Sequence, residues 1–332
     1  MNISGSFAAP LLLIAAMLIL ILFQSVFFTD GGVRYPEEPQ GDASLDLTAA
    51  DYISLNGVKY RPDGFFMLAV ASNICAFLLT GAFYVKLRGA GHSKKLKLGL
   101  PKLKYLPLFL YMLLVLTAGT VLINALLVYF GAADSKVSEV LPFVFYTGGN
   151  TAYDMGVLIC FVVLPAVCEE FFFRSVIAAE YERYGAFCAC VCTALAFALS
   201  HFSLKFFPSY LFAAAAFYIL AKITNSVLFA VFLHAGYNFF CIYLADKFLG
   251  ALNFEQNRLM FIFVAAILFI ISVFLALNIL EGIYSKKAYG NPLPPPLVFA
   301  GGPKGAAAGL VKSLISPTFI AAAVIFFIYI NI

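Results

Sequence analysis

Two adjacent glutamates, Glu169 and Glu170, lie inside a mostly apolar run that extends over residues 159–177. Placing a charge at bilayer depth costs at least ~2.5–3.5 kcal/mol, so a carboxylate inside a membrane segment indicates function by default. Two of the three histidines in the chain, His201 and His234, lie in later apolar runs. Carboxylates and imidazoles are common general acids and bases in enzymes, and imidazoles also bind metal ions. These residue types predict a reaction centre within the membrane.

The spacing of these groups favours one shared site. Glu170 and Arg174 are four residues apart, so on a helix they share a face and can form an ion pair. Glu169 lies about 100° around the same helix, so it need not share that arginine, and the two acids can have different roles. Glu170 precedes Gly185 by 15 residues and His201 follows it by 16. With a turn at Gly185, an antiparallel hairpin brings both side chains to the same depth.

Two chemical routes fit this set, and the sequence leaves both open. In the first, a carboxylate is the general base toward water and a histidine orients that water. A second imidazole and a side-chain amide, such as those of His234 and Asn238 on one helix face, then donate hydrogen bonds to the developing oxyanion. In the second, Glu169, His201 and His234 bind a zinc ion that keeps one open coordination position. Either route predicts hydrolysis of a peptide bond in a dry pocket.

Three short motifs occur in separate apolar runs. They are E-E-x-x-x-R at Glu169–Arg174, F-x-x-x-H at Phe197–His201 and H-x-x-x-N at His234–Asn238. Each motif alone is weak, but the ordered set resembles the CPBP family, which comprises CAAX prenyl proteases and bacteriocin-processing or immunity-type membrane proteins. The resemblance covers roughly residues 155–245, whereas residues 1–140 and 251–332 contain no matching motif.

This resemblance implies an all-helical intramembrane endopeptidase, similar to CAAX proteases. The substrate would be a membrane-associated protein or peptide, prenylated or not. The resemblance also implies that Glu169 activates water with support from Glu170, and that Arg174 fixes this second glutamate. His201 would then help to position the water or a metal ion.

The resemblance further implies that His234 and Asn238 stabilise the tetrahedral intermediate. The family is often described as metalloproteases, so zinc is a candidate cofactor, with Glu169, His201 and His234 as its candidate ligands. A metal-independent mechanism that depends on glutamate is equally compatible with these residues.

The composition is that of a membrane protein. The 332 residues are 63% hydrophobic and 11% charged, against about 45–50% and about 25% in soluble domains. The net charge of +4 comes mainly from one loop, so it does not indicate nucleic-acid binding. We therefore predict an integral, multi-pass protein of the plasma membrane with an all-α, polytopic transmembrane helix bundle of eight or nine spans. Nine candidate spans lie at about residues 6–28, 65–87, 105–131, 155–180, 186–203, 209–224, 225–245, 259–280 and 314–332.

Loop charges predict the orientation of the chain in the membrane. Together with the motifs, they divide the chain into three regions. Segment 86–104 contains seven Lys and Arg residues and no acid, which places it in the cytoplasm, whereas segment 29–64 contains seven acids and three basic residues. Residues 1–140 would hold the N-terminal helices and this basic loop. Residues 141–250 would form the CPBP-like catalytic core, and residues 251–332 would contain the C-terminal helices after a Pro- and Gly-rich linker.

Two other classes of function remain open. A non-catalytic immunity or scaffold protein would retain the polar residues for folding, with Glu170 and Arg174 as a structural ion pair. A transporter would use them for an ion pathway, and Pro165 is the kind of helix interruption that transporters contain. Replacing Glu169 by Gln distinguishes an enzyme from a scaffold protein, and a flux assay identifies a transporter.

Overall fold

The computed structural model describes residues 5–29, 53–55, 58–89, 96–131, 150–245, 247, 257–288 and 302–331. These residues are almost entirely helical, as expected of apolar segments that must satisfy their backbone hydrogen bonds internally. A short antiparallel pair of strands, β1 (Ile53–Leu55) and β2 (Val58–Tyr60), precedes the second helix. The helices are α1 (Gly5–Thr29), α2 (Pro62–Arg88), α3 (Leu103–Tyr129), α4 (Thr151–Tyr184), α5 (Ala186–Ser200), α6 (Phe207–Thr224), α7 (Val227–Leu244), α8 (Arg258–Ala288), α9 (Gly302–Leu314) and α10 (Pro317–Tyr329).

The predicted all-α bundle is confirmed, and the described part of the chain contains seven helices that are long and apolar enough to cross a membrane. The number becomes eight if the bent pair formed by α9 and α10 is one span, with 54° between its parts. The prediction of nine included α5, which has only 15 residues and is about 22 Å long. The Pro-rich part of the predicted linker, 291–296, lies outside the described residues, and so does most of segment 29–64.

Short π-helical segments interrupt α2, α4 and α7. They are Ile74–Leu79 in α2, Leu158–Val163 and Phe171–Ile177 in α4, and Phe240–Leu244 in α7. Such insertions are rare and often lie at functional sites, because the wider turn redirects the side chains that follow it. The two segments in α4 stand on either side of the predicted glutamate pair.

Ion pairs attach the basic segment to the C-terminal end of α4. Glu182 contacts both Lys97 and Lys222, and its distance to the ammonium of Lys222 is 3.1 Å. Glu180 pairs with Arg88 at 2.8 Å. Burial lowers the pKa of the Lys97 ammonium, while the neighbouring Glu182 carboxylate opposes that shift. The end of α2, the segment after it, the end of α4 and the end of α6 therefore meet on one side of the bundle, which we call the basic end.

The start of α7 lies at the basic end as well. The backbone N–H of Val227 donates to the carbonyl of Lys97 at 3.0 Å, and the Ser226 hydroxyl donates to the carbonyl of Gly99 at 2.7 Å. Lys97 and Asn225 have φ values of 52°, the left-handed conformation that commonly ends a helix or forms a tight turn. The helices α4, α5, α6 and α7 therefore run alternately toward and away from the basic end.

The helix α3 packs closely against its neighbours at Gly119. A Cβ atom at this position would lie 2.5 Å from Cε1 of Phe212 in α6 and 2.9 Å from Cε2 of Phe269 in α8. Two aromatic rings therefore occupy the space that a side chain would need. Because α6 also forms one wall of the site described below, this contact helps to hold that wall in place.

We expect Gly119→Ala to destabilise the bundle. Overpacking a well-packed interior costs about 1–3 kcal/mol, which exceeds the gain of about 0.5–1 kcal/mol that Ala brings over Gly within a helix. The matched control is Gly282→Ala in α8, where a new Cβ would meet no atom within 4 Å. Thermal unfolding in detergent should show a lower midpoint for Gly119→Ala and an unchanged or higher midpoint for Gly282→Ala. Equal midpoints would contradict the close packing at α3.

Candidate active site

The predicted polar residues meet at a cavity of about 700 Å³ that lies away from the basic end. Glu169 from α4, His201 after α5, and His234 and Asn238 from α7 line this cavity. Glu170 lies behind them and is fully buried. Residues that are far apart in the sequence therefore form one constellation.

Glu169 faces His201 across part of the cavity. The carboxylate oxygen Oε2 lies 3.9 Å from Nε2 of His201. This oxygen is buried, and it has no hydrogen-bond partner within the described part of the chain. A separation of 3.9 Å is too long for a direct hydrogen bond but suits one bridging water, since each contact to that water would need only ordinary hydrogen-bond length.

The ring of His201 is held in one orientation. Its Nδ1–H donates to the carbonyl of Phe197 at 2.8 Å, so Nε2 is the nitrogen with the lone pair that faces Glu169. The ring lies between two aromatic rings, with centroid distances of 4.5 Å to Phe197 and 4.1 Å to Tyr210. Phe202, the next residue, adopts a left-handed φ of 48°, and α5 ends here. His201 therefore stands at the end of a helix, where its second nitrogen can reach solvent in the cavity.

Glu170 forms a second, drier group with Arg174 and His234. Its Oε1 accepts a hydrogen bond from Nδ1 of His234 at 2.9 Å. Its Oε2 lies 3.0 Å from Nε of Arg174, an ion-pair contact whose angle does not meet the criteria of a hydrogen bond. The spacing of four residues thus gives the expected ion pair. Because Nδ1 of His234 is engaged by Glu170, only its Nε2 remains for a group in the cavity.

Aromatic rings enclose the guanidinium of Arg174. Its Cζ lies 4.7 Å from the centroid of Phe197, 5.1 Å from that of Phe217 and 5.7 Å from that of Phe173. One terminal nitrogen donates to the carbonyl of Ala214 at 3.2 Å. Ring faces attract cations, and the attraction is stronger where water is excluded. This cage explains how a charged arginine can be 1% exposed in the core.

Asn238 has a structural partner in α4. Its side-chain amide donates to the carbonyl of Phe161 at 3.3 Å. In a regular helix that carbonyl would accept from residue 165, but Pro165 has no N–H. The Asn238 amide therefore connects α7 to α4 just before the glutamates.

The predicted zinc ligands do not form a complete set. Across the described residues, no three His, Cys, Asp or Glu side chains are close enough to share an ion. Glu169 Oε2 and His201 Nε2 face each other, but His234 uses its Nδ1 to contact Glu170 instead. Catalytic zinc sites usually have three protein ligands, so the donor set Glu169, His201 and His234 does not fit such a site in this arrangement.

Sequence reasoning missed the aromatic part of the site. Tyr210 covers one face of His201, and Phe217 stacks on His234 at 4.6 Å with an interplanar angle of 17°. With 37 Phe and 18 Tyr in the chain, no single aromatic residue stands out. A helical offset of seven residues between Tyr210 and Phe217 in α6 was the available signal, because it places both on one face.

One comparison with known proteins identifies the segment of the chain that contains these residues. Residues 151–240 match the family model described as Type II CAAX prenyl endopeptidase Rce1-like. The match confirms the resemblance to the CPBP family. The searches of curated proteins and of solved structures found no significant match. The Rce1-like segment contains the three motifs from Glu169 to Asn238 and supports an intramembrane endopeptidase in general.

We expect Arg174→Gln to destabilise the Rce1-like segment strongly. Removing one partner of a buried ion pair leaves an uncompensated charge, here on Glu170, and costs about 3–5 kcal/mol. The matched control is Arg183→Gln in the same helix, where the arginine is exposed and the cost should be within about 0.5 kcal/mol. Thermal unfolding in detergent measures both. Similar midpoints for the two variants would show that Glu170 does not need Arg174.

Proposed function

We propose that this protein is an intramembrane endopeptidase in which Glu169 activates water to hydrolyse a peptide bond. The observation that carries the proposal is the placement of Glu169 Oε2 at 3.9 Å from His201 Nε2, in the wall of a cavity formed by membrane-type helices. The match of residues 151–240 to the Rce1-like family supports the same activity class.

In the proposed mechanism, a water molecule donates one hydrogen bond to Glu169 Oε2 and one to His201 Nε2. Its free lone pair then attacks the carbonyl carbon of the scissile peptide bond. Glu169 takes the proton released in that attack and later delivers it to the leaving amine as the C–N bond breaks. The orientation of His201 supports this role, because its Nδ1–H is already used by Phe197.

The second group would stabilise the oxyanion of the tetrahedral intermediate. His234 presents only Nε2 to the cavity, and a proton on that nitrogen can be donated to the developing negative charge. Because Nδ1 already donates to Glu170 at 2.9 Å, Nε2 can act as this donor only in the doubly protonated ring. Asn238 lines the same cavity, and its second amide hydrogen is a further donor after the contact to Phe161.

The cavity wall supports a proposal for the substrate class. It is mainly apolar and aromatic, with Phe65, Phe77 and Phe217 among its residues. We propose a membrane-associated protein or peptide as the substrate, prenylated or not, which reaches the site from the lipid bilayer. We propose the plasma membrane as the location, and fractionation of expressing cells tests it.

We expect Glu169→Gln to reduce cleavage of an apolar membrane peptide in detergent by about 10²–10⁴-fold, the usual contribution of a general base. The amide retains the size of the side chain but cannot accept the proton of water. The control is Glu281→Gln in α8, an exposed position outside the cavity, which should cleave like the unaltered protein. Turnover by Glu169→Gln at the unaltered rate would refute the role of Glu169 and favour a non-catalytic immunity or scaffold function.

We also propose that hydrolysis proceeds without a resident metal ion, because the ligand set has two facing donors rather than three. The purified protein should retain its cleavage rate after dialysis against a strong chelator, and metal analysis should find zinc well below one ion per chain. A known zinc peptidase treated in parallel verifies that chelation is complete. Loss of activity that zinc restores would establish the metal-dependent route instead.

A further inference from the structure

The helices that form the cavity contribute residues from their middle parts to the end of the bundle that is remote from the basic end. The cavity is lined by residues 20–25 of α1, 65–77 of α2, 161–169 of α4, 197–202 at the end of α5, 210–217 of α6 and 234–242 of α7. Residues 20–25 of α1 and 197–202 at the end of α5 lie entirely at the end remote from the basic end, whereas the other ranges extend from the middle of their helices toward that remote end. Tyr329, the last residue of α10, belongs to the same rim.

The basic end itself is strongly cationic. Described side chains at this end are Lys86, Arg88, Lys97, Lys102, Lys104, Arg183, Lys222 and Lys312. They outnumber the acids Glu180 and Glu182, which pair with three of them. Short segments rich in Lys and Arg next to transmembrane helices remain in the cytoplasm. The ion pairs of Glu180 and Glu182 attach the end of α2 and the basic segment after it to the end of α4. The side of the membrane on which this segment lies therefore determines the side from which the site faces away.

The depth of the site follows from helix length. Thirteen residues separate Glu169 from Glu182 in α4, which corresponds to about 20 Å of helix. The 15 residues of α5 place His201 about 22 Å from the same end. If the basic end marks the cytoplasmic boundary of a hydrocarbon core about 30 Å thick, both catalytic candidates lie beyond its midplane, on the side remote from the basic end.

We propose that the cavity opens toward the non-cytoplasmic half of the bilayer and that its substrate is an exported peptide or the extracytoplasmic part of a membrane protein. A cytosolic carboxyl-terminal tail would have to pass the ion pairs and packed rings at the basic end to reach Glu169. This inference deepens the proposed peptidase function and rests on it for the nature of the ligand, but the sidedness can be measured independently.

The test uses two exposed positions at opposite ends of the full-length protein. Asn331→Cys marks the end near the cavity rim and Lys102→Cys marks the basic end; both positions are exposed. A charged maleimide that cannot cross membranes is added to intact bacterial spheroplasts and to permeabilised ones. The unaltered protein, which has seven cysteines, gives the background, and a cytosolic cysteine protein verifies that the spheroplasts are sealed.

We expect Asn331→Cys to be labelled in sealed spheroplasts and Lys102→Cys only after permeabilisation. The reverse pattern, or labelling of both variants in sealed spheroplasts, would overturn the proposed sidedness. In a second measurement, a peptide segment that is cleaved in the detergent assay is fused to a carrier protein with one membrane span. The segment is placed on the cytoplasmic side in one fusion and on the extracytoplasmic side in the other. Cleavage only on the extracytoplasmic side supports the substrate assignment, and cleavage on the cytoplasmic side overturns it. If the peptidase proposal itself is wrong, the detergent assay shows this separately, because Glu169→Gln then cleaves its substrate at the unaltered rate.

Discussion

A carboxylate that is removed from water must be surrounded by cations and hydrogen-bond donors, or its burial destabilises the fold. Glu170 has no exposed surface, and it meets this requirement with Arg174 on one oxygen and His234 on the other. The same interaction fixes α7 relative to α4. Consequently the neighbouring glutamate, one residue earlier in the chain, is directed into the cavity while Glu170 remains in the protein interior.

The aromatic residues make this arrangement possible. Phe197 and Phe217 contact both the guanidinium of Arg174 and the ring of His234. One layer of rings therefore shields an ion pair and orients an imidazole. The two glutamates end up in different surroundings, with Glu170 compensated in a dry layer and Glu169 beside a space large enough for substrate and water. This contrast supports the division of roles between adjacent acids.

Much of the site could be predicted from sequence because its polar residues are conspicuous in apolar runs. The intervals Glu170–Arg174 and His234–Asn238, and the equal arms around Gly185, follow from helix geometry alone. The partner of Asn238 could not be foreseen, since it is the backbone carbonyl of Phe161 in another helix. The span number was less certain for a similar reason: composition does not distinguish the 15-residue α5 from a full span, and the kink between α9 and α10 depends on Ser316 and Pro317.

The shortness of α5 has a consequence for the surroundings of the reacting groups. A helix of about 22 Å does not match a hydrocarbon core of about 30 Å, and such hydrophobic mismatch is relieved when the bilayer thins locally or the gap fills with water and polar groups. The gap lies above His201, at the end of α5. Because most of α5 is buried by neighbouring helices, its shortness leaves room inside the bundle, where water and polar groups can lie beside the reacting groups.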